Sequence, residues 1–100
     1  MRILDTGFAP GEYLEQFRSS DLSFGTYLIP AAGTDDQSPH TEDEIYIVTR
    51  GAAKISTPER TLEVGPGAVI FVPAGEDHRF VEVTEDLALL VVFAPPYGSR

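Results

Sequence analysis

Two histidines are all that this chain of 100 residues contains, and each stands beside a turn that adjoins a run of strand-forming residues. His40 precedes Thr-Glu-Asp-Glu44 and the run Ile45-Tyr-Ile-Val48, while His78 follows Phe71-Val-Pro73-Ala-Gly75-Glu-Asp. With Glu44 they offer two imidazoles and one carboxylate, a donor set suited to a divalent transition metal with coordination positions left open. That chemistry requires the three side chains to meet. Glu44 opens an apolar strand, and a carboxylate facing a core is costly unless a metal, an arginine or solvent compensates it. Arg50, Arg60 and Arg79 are the arginines that offer the plainer alternative.

Spacing decides which local structure lets His40 and Glu44 share an ion. On one straight strand, four residues would separate them by roughly 13 Å, which is too far. A helix would bring them to about 5–6 Å, but Pro39 before them and the β-branched, aromatic run after them argue against one. A hairpin remains, with His40 ending one strand, Thr41-Glu42-Asp43 turning and Glu44 opening the next, so that opposed Cβ atoms lie about 4.5–5.5 Å apart. In this reading Glu42 and Asp43 form a solvated turn. His78 opens the strand that returns after Pro73-Ala-Gly75, with Phe80 and Glu82 on its face and Arg79 and Val81 on the other. The plainer reading of His78 is a surface histidine bonded to Glu76 or Asp77.

The rest of the chain reads as short strands separated by turns. Residues 24–29, 44–49, 52–56, 61–64, 68–72, 78–83 and 87–93 are the expected strands, with residues 52–56 and 61–64 forming a hairpin. Residues 12–18 carry Tyr13, Leu14 and Phe17 at a spacing that predicts a short helix. Tyr27, Tyr46, Phe71 and Phe80 are expected in the core. Strands of this length with turn signals every eight to twelve residues imply an all-β sandwich or barrel. Residues 44–48 and 87–93 are apolar on both faces, and such strands need cover on each side. A chain this short has little to spare for that, so a homodimer is expected.

The two histidine segments resemble the paired motifs of the cupin superfamily. Gly51 closes the first motif, Glu44 is its glutamate and His40 matches its second histidine. Gly67, Pro73, Gly75 and His78 match the second motif, and Glu82 stands where the family has asparagine. The resemblance implies a double-stranded β-helix, or jelly-roll barrel, over residues 21–94, with residues 1–20 as an N-terminal arm and 95–100 as a tail in one cupin domain. It also implies a metal held by His40, Glu44 and His78. Ser38 occupies the place of the family's first histidine, so Gln37 or Ser38 would have to supply a neutral oxygen, or water would fill the gap.

Composition narrows the function classes. One domain is expected from 100 residues. With no cysteine, disulfide scaffolds, thiolate metal sites and cysteine nucleophiles are excluded, and the expected ion is iron, manganese, nickel, zinc, cobalt or copper. A net charge of −9 repels nucleic acid and anionic membranes. Neither a secretory leader nor an apolar run long enough to cross a bilayer is recognisable, so a cytoplasmic location is expected. Two functions fit. One is a small metalloenzyme (an oxygenase, isomerase or lyase) acting on a small organic molecule. The other is a non-catalytic module that binds or senses a small ligand.

Overall fold

The computed structural model describes residues 1–35 and 39–100, which build six strands: β1 (Tyr13–Arg18), β2 (Ser23–Ile29), β3 (Asp43–Ser56), β4 (Thr61–Val64), β5 (Val69–Val72) and β6 (Arg79–Ala94). Every pairing between these six strands is antiparallel. The strands run in the order β1-β2-β6-β3-β4, and β5 also pairs with β3. No helix occurs among the described residues. Residues 13–18, expected as a helix, instead lie along β2 with Tyr13 opposite Tyr27 and Arg18 opposite Ser23. A helix this short closes few internal hydrogen bonds, whereas the free edge of β2 satisfies a whole row of backbone groups at once.

Two long strands carry the barrel. The sequence predicts breaks at Arg50-Gly51 and at Thr84-Glu85-Asp86, yet β3 and β6 run through both points as single strands of 14 and 16 residues. Their mutual register slips between Val48 and Lys54, so each strand bends at β-bulges without losing its ladder. Gly51 makes one bend feasible: its φ is +102°, and a Cβ there would fall on the backbone of Asp86 and Leu87. Glu82 makes the other with φ +48°, a left-handed conformation that asparagine and glycine tolerate far better than glutamate. The asparagine that the resemblance led us to expect there is thus accounted for by backbone geometry.

Alternation along these strands sets the interior. Tyr46 and Val48 of β3, Leu87, Leu89, Val91 and Phe93 of β6, and Tyr27 and Ile29 of β2 are buried in one cluster. Phe80 joins them, as expected, but Phe71 is 61 % exposed and belongs to the outer face. There it stands opposite Ile45, which stands opposite Val92. Glu82 does not share the inward face of His78 and Phe80. Its carboxylate points outward to Lys54, 3.2 Å away, a surface pair that contributes little to stability.

Replacing Glu82 with glycine or asparagine should therefore raise unfolding free energy by about 0.5–1 kcal/mol, even though the Lys54 pair is lost. Urea denaturation checks this, and a loss of stability in both variants would contradict the strain assigned to this residue.

Candidate functional site

The two loops that bear the histidines are fastened to each other. Gly75, at φ +81°, turns its amide so that it donates to the His40 carbonyl at 2.8 Å. Beside it, the Ala74 amide donates to Asp43 Oδ1 at 2.9 Å. His40 lies in a loop, not at the end of a strand as the hairpin expectation required, and the chain bends at residues 41–42 before β3 begins. The bend achieves what the hairpin would have done. Glu44 projects inward from β3 between Val72 and Phe93 of the neighbouring strands, and His78 immediately precedes β6.

All three side chains converge. His40 Nε2 lies 2.9 Å and His78 Nε2 3.1 Å from Glu44 Oε1, and one ligand atom from each of the three lies within 4.8 Å of the others. Glu44 is 1 % and His78 2 % exposed. Each imidazole is oriented from behind by a backbone carbonyl: His78 Nδ1 lies 2.8 Å from the Glu76 carbonyl and His40 Nδ1 3.3 Å from that of Glu42. An Nδ1–H donating outward leaves Nε2 free as an inward lone pair, the tautomer a metal ligand needs.

The geometry can be tested against an ion's requirements. Two ligands at right angles on bonds of about 2.1 Å stand about 3 Å apart, which is the separation of each imidazole from Glu44 Oε1. His40 Nε2 and Glu44 Oε2 are also buried without a hydrogen-bond partner among the described residues, and such orphaned atoms are rare in folded proteins. Among the described residues no arginine pairs with Glu44, whose ion-pair partners there are the two imidazoles. A divalent cation would satisfy these atoms together. Gln37 and Ser38 lie outside the described residues.

Several neighbours escaped the sequence reading. Tyr46 places its hydroxyl 3.1 Å from His78 Nε2; alternation from Glu44 would have put it on the same face. Asp35 is buried, accepting from the Phe80 amide at 2.9 Å through one oxygen and facing the Tyr27 hydroxyl at 3.4 Å through the other. No sequence pattern marks it. Glu42, expected in a solvated turn, is 1 % exposed. Its Oε2 accepts from the Gly98 amide at 2.9 Å, and its Oε1 lies 3.9 Å from His40 Nδ1.

Segment 95–100, expected as a tail, straps down this end of the barrel. The Tyr97 amide donates to Ser23 Oγ at 3.0 Å, Arg18 donates to the Tyr97 carbonyl, and Arg100 donates to the Thr41 carbonyl at 3.0 Å. The Tyr97 ring packs on Phe93 and faces His40. Beside Glu44 these contacts border a half-open cavity of about 180 Å³, lined by Tyr13, Tyr27, Tyr46, Tyr97, Phe93 and Glu44 among others.

Comparison with known proteins agrees with this arrangement. The cupin domain model matches residues 25–93. An uncharacterized protein of Streptomyces coelicolor, SCO3923, is 45% identical over 86 residues, which is 86% of this chain and 82% of that one. Among solved structures, a cupin family protein with a double-stranded β-helix fold from Methanocaldococcus jannaschii superposes with a TM-score of 0.80 at 11% identity, covering 95% of this chain and 91% of the other. The DMSP lyase DddQ from Ruegeria pomeroyi superposes with a TM-score of 0.72 at 25% identity, covering 79% of this chain but 41% of the lyase. The double-stranded β-helix expected from the two motifs is thus the observed fold.

The site also imposes a pH dependence on the metal-free protein. Burial opposes the charged form of His78, but hydrogen bonds to Glu44 and to the Glu76 carbonyl, with the charges of Glu44 and Asp35, outweigh it and raise its pKa above 6.5. A raised folded-state pKa contributes stability that is fully present below the unfolded value and lost as pH rises through the folded one. With chelator present, urea stability should therefore fall as pH rises above about 6.5 in the wild type and fall less in His78→Gln. Equal slopes in the two proteins would contradict the assignment.

Proposed function

The chain belongs to the cupin domain family, and from that premise we propose that it is a metal-dependent protein acting on a small organic molecule, with His40, Glu44 and His78 as the metal ligands. The observation that carries the reading is the convergence of His40, Glu44 and His78 beside an aromatic cavity, with His40 Nε2 and Glu44 Oε2 buried and lacking hydrogen-bond partners among the described residues. A bound divalent ion would supply Lewis acidity to an oxygen of the guest, or activate dioxygen if it is redox-active. This chain's own residues do the rest. The Glu42 and Glu76 carbonyls hold the imidazole tautomers, and Tyr46 is placed to donate a hydrogen bond or hold a proton beside His78. The aromatic rings keep bulk water from the guest. A lyase, isomerase or oxygenase uses such parts. The lyase named DddQ, with a similar barrel, supports chemistry of this class without extending its own substrate to this chain. The alternative is a binding module with the same metal-lined cavity and no turnover.

The outer face favours a second copy as partner. Val69, Phe71 and Ile45 are exposed there at 66 %, 61 % and 37 %, on adjacent strands that no other part of the chain covers among the described residues. Two such faces meeting sheet to sheet would bury them, which accounts for the two-sided apolar character of β3. No helix among the described residues is long and apolar enough to cross a membrane.

Protein purified without a chelating column should carry, or take up on reconstitution, close to one transition metal ion per chain, with His78→Ala and Glu44→Gln each losing most of it. Elemental analysis decides this, and wild type that stays metal-free after reconstitution while correctly folded would overturn the proposal. Glu42→Ala, which removes the tether between the His40 loop and Gly98, should weaken metal binding about tenfold without abolishing it. Competition with a chromogenic chelator measures that change. Phe71→Glu should convert a dimer to a monomer in sedimentation experiments; a monomeric wild type would contradict the outer-face assignment.

A further inference from the structure

The Tyr46 hydroxyl stands against the atom through which His78 would hold a metal. It lies 3.1 Å from His78 Nε2, and Glu44 Oε1 lies 3.1 Å from the same nitrogen. Both side chains leave the inward face of β3, two residues apart, so their Cα atoms are separated by roughly 6.5 Å. A short carboxylate and a long phenol make up that difference by meeting at one imidazole. Tyr46 is 0 % exposed. Phe80 holds its ring edge-on at 4.9 Å, and it shares the cavity wall with Glu44.

A cation at His78 changes what that hydroxyl can do. His78 Nδ1 lies 2.8 Å from the Glu76 carbonyl, so the Nδ1–H tautomer presents Nε2 as a lone pair to which the Tyr46 hydroxyl donates. An ion bound at Nε2 takes this lone pair, and the phenolic oxygen then stands beside the ion. The spacing suits a ligand. Neighbouring ligands at right angles on bonds of about 2.1 Å stand about 3 Å apart. His40 Nε2 to Glu44 Oε1 at 2.9 Å, His78 Nε2 to Glu44 Oε1 at 3.1 Å and the Tyr46 hydroxyl to His78 Nε2 at 3.1 Å all have that separation. Serine stands at position 38 where the resembled motif has its first histidine, so the set of His40, Glu44 and His78 is one donor short. Tyr46 reaches the same point from β3.

We infer that Tyr46 is a fourth protein ligand of the metal, bound through its hydroxyl oxygen. The inference rests on the metal reading of His40, Glu44 and His78 and extends it to a side chain outside both motifs. As the ion binds, the O–H bond breaks, the proton leaves to the buffer and an oxygen–metal bond forms, with no change of oxidation state. The same hydroxyl is a hydrogen-bond donor to His78 in the metal-free protein.

Ferric iron makes this contact visible, because a phenolate bound to it absorbs visible light by charge transfer from the ring, which imidazole and carboxylate ligands do not. The full chain, stripped with chelator, is loaded from ferric nitrilotriacetate and desalted, and its iron content is measured by elemental analysis. Iron-loaded wild type should show the visible band, and resonance Raman excitation within it should enhance tyrosine ring vibrations. Tyr46→Phe keeps the buried ring and should lose the band, while Tyr13→Phe, Tyr27→Phe and Tyr97→Phe should each retain it. Iron-loaded wild type without the band, or a band that survives in folded, iron-loaded Tyr46→Phe, would overturn the inference and leave the three-residue site intact. Wild type that takes up no iron would overturn it as well. If such protein also takes up no other transition metal, the metal reading falls with it.

Discussion

A carboxyl group placed inside a β barrel, with no arginine paired to it among the described residues, is the constraint on which the rest of the structure turns. Glu44 sits where Tyr46 and Val48 continue the same inward face, so ordinary alternation would give an apolar side chain. Burying a carboxylate costs several kcal/mol unless something nearby compensates it. The compensation comes from His40 and His78, which reach it from two loops far apart in sequence. The backbone hydrogen bond from Gly75 to the His40 carbonyl ties the two loops to each other.

Strand bending is the second requirement. A flat, unbroken β3 pairing with β6 along its whole length would leave no enclosed space. The bulges around Gly51 and Glu82 bend both strands, so that Glu44, Tyr46, Val91 and Phe93 curve around a cavity. The strap at residues 95–100 then borders it by engaging β1, β2 and the His40 loop together. Positioning is thus distributed: a carbonyl orients each imidazole, a glycine admits the Tyr13 ring, and Glu42 links the strap to the loop that bears His40. Sites supported in this way hold their geometry without help from a guest.

Much of this was legible in the chain before its coordinates were considered. The spacing of Glu44 from Gly51, and of His78 from Gly67, Pro73 and Gly75, pointed to the barrel and singled out three side chains that the structure places side by side. The inward face of β3 followed from alternation. What misled the reading was local polarity taken as exposure. Glu42 sits in a run of acidic residues that looks solvated, yet the strap arriving from residue 98 buries it. Phe71 looks like core, but its face is left exposed among the described residues. Residues 13–18 carry a helical spacing that the open edge of β2 overrides. Asp35, the strap and the shared cavity of the tyrosines arise from contacts between distant segments, for which periodicity gives no signal.

The claim that Glu44 and the two imidazoles meet around one ion is most directly tested by anomalous diffraction from crystals soaked in a divalent transition metal. The account predicts one strong peak per chain, at about 2.0–2.3 Å from His40 Nε2, His78 Nε2 and a Glu44 oxygen. A peak only at surface acidic groups, or either imidazole turned away from Glu44, would contradict it.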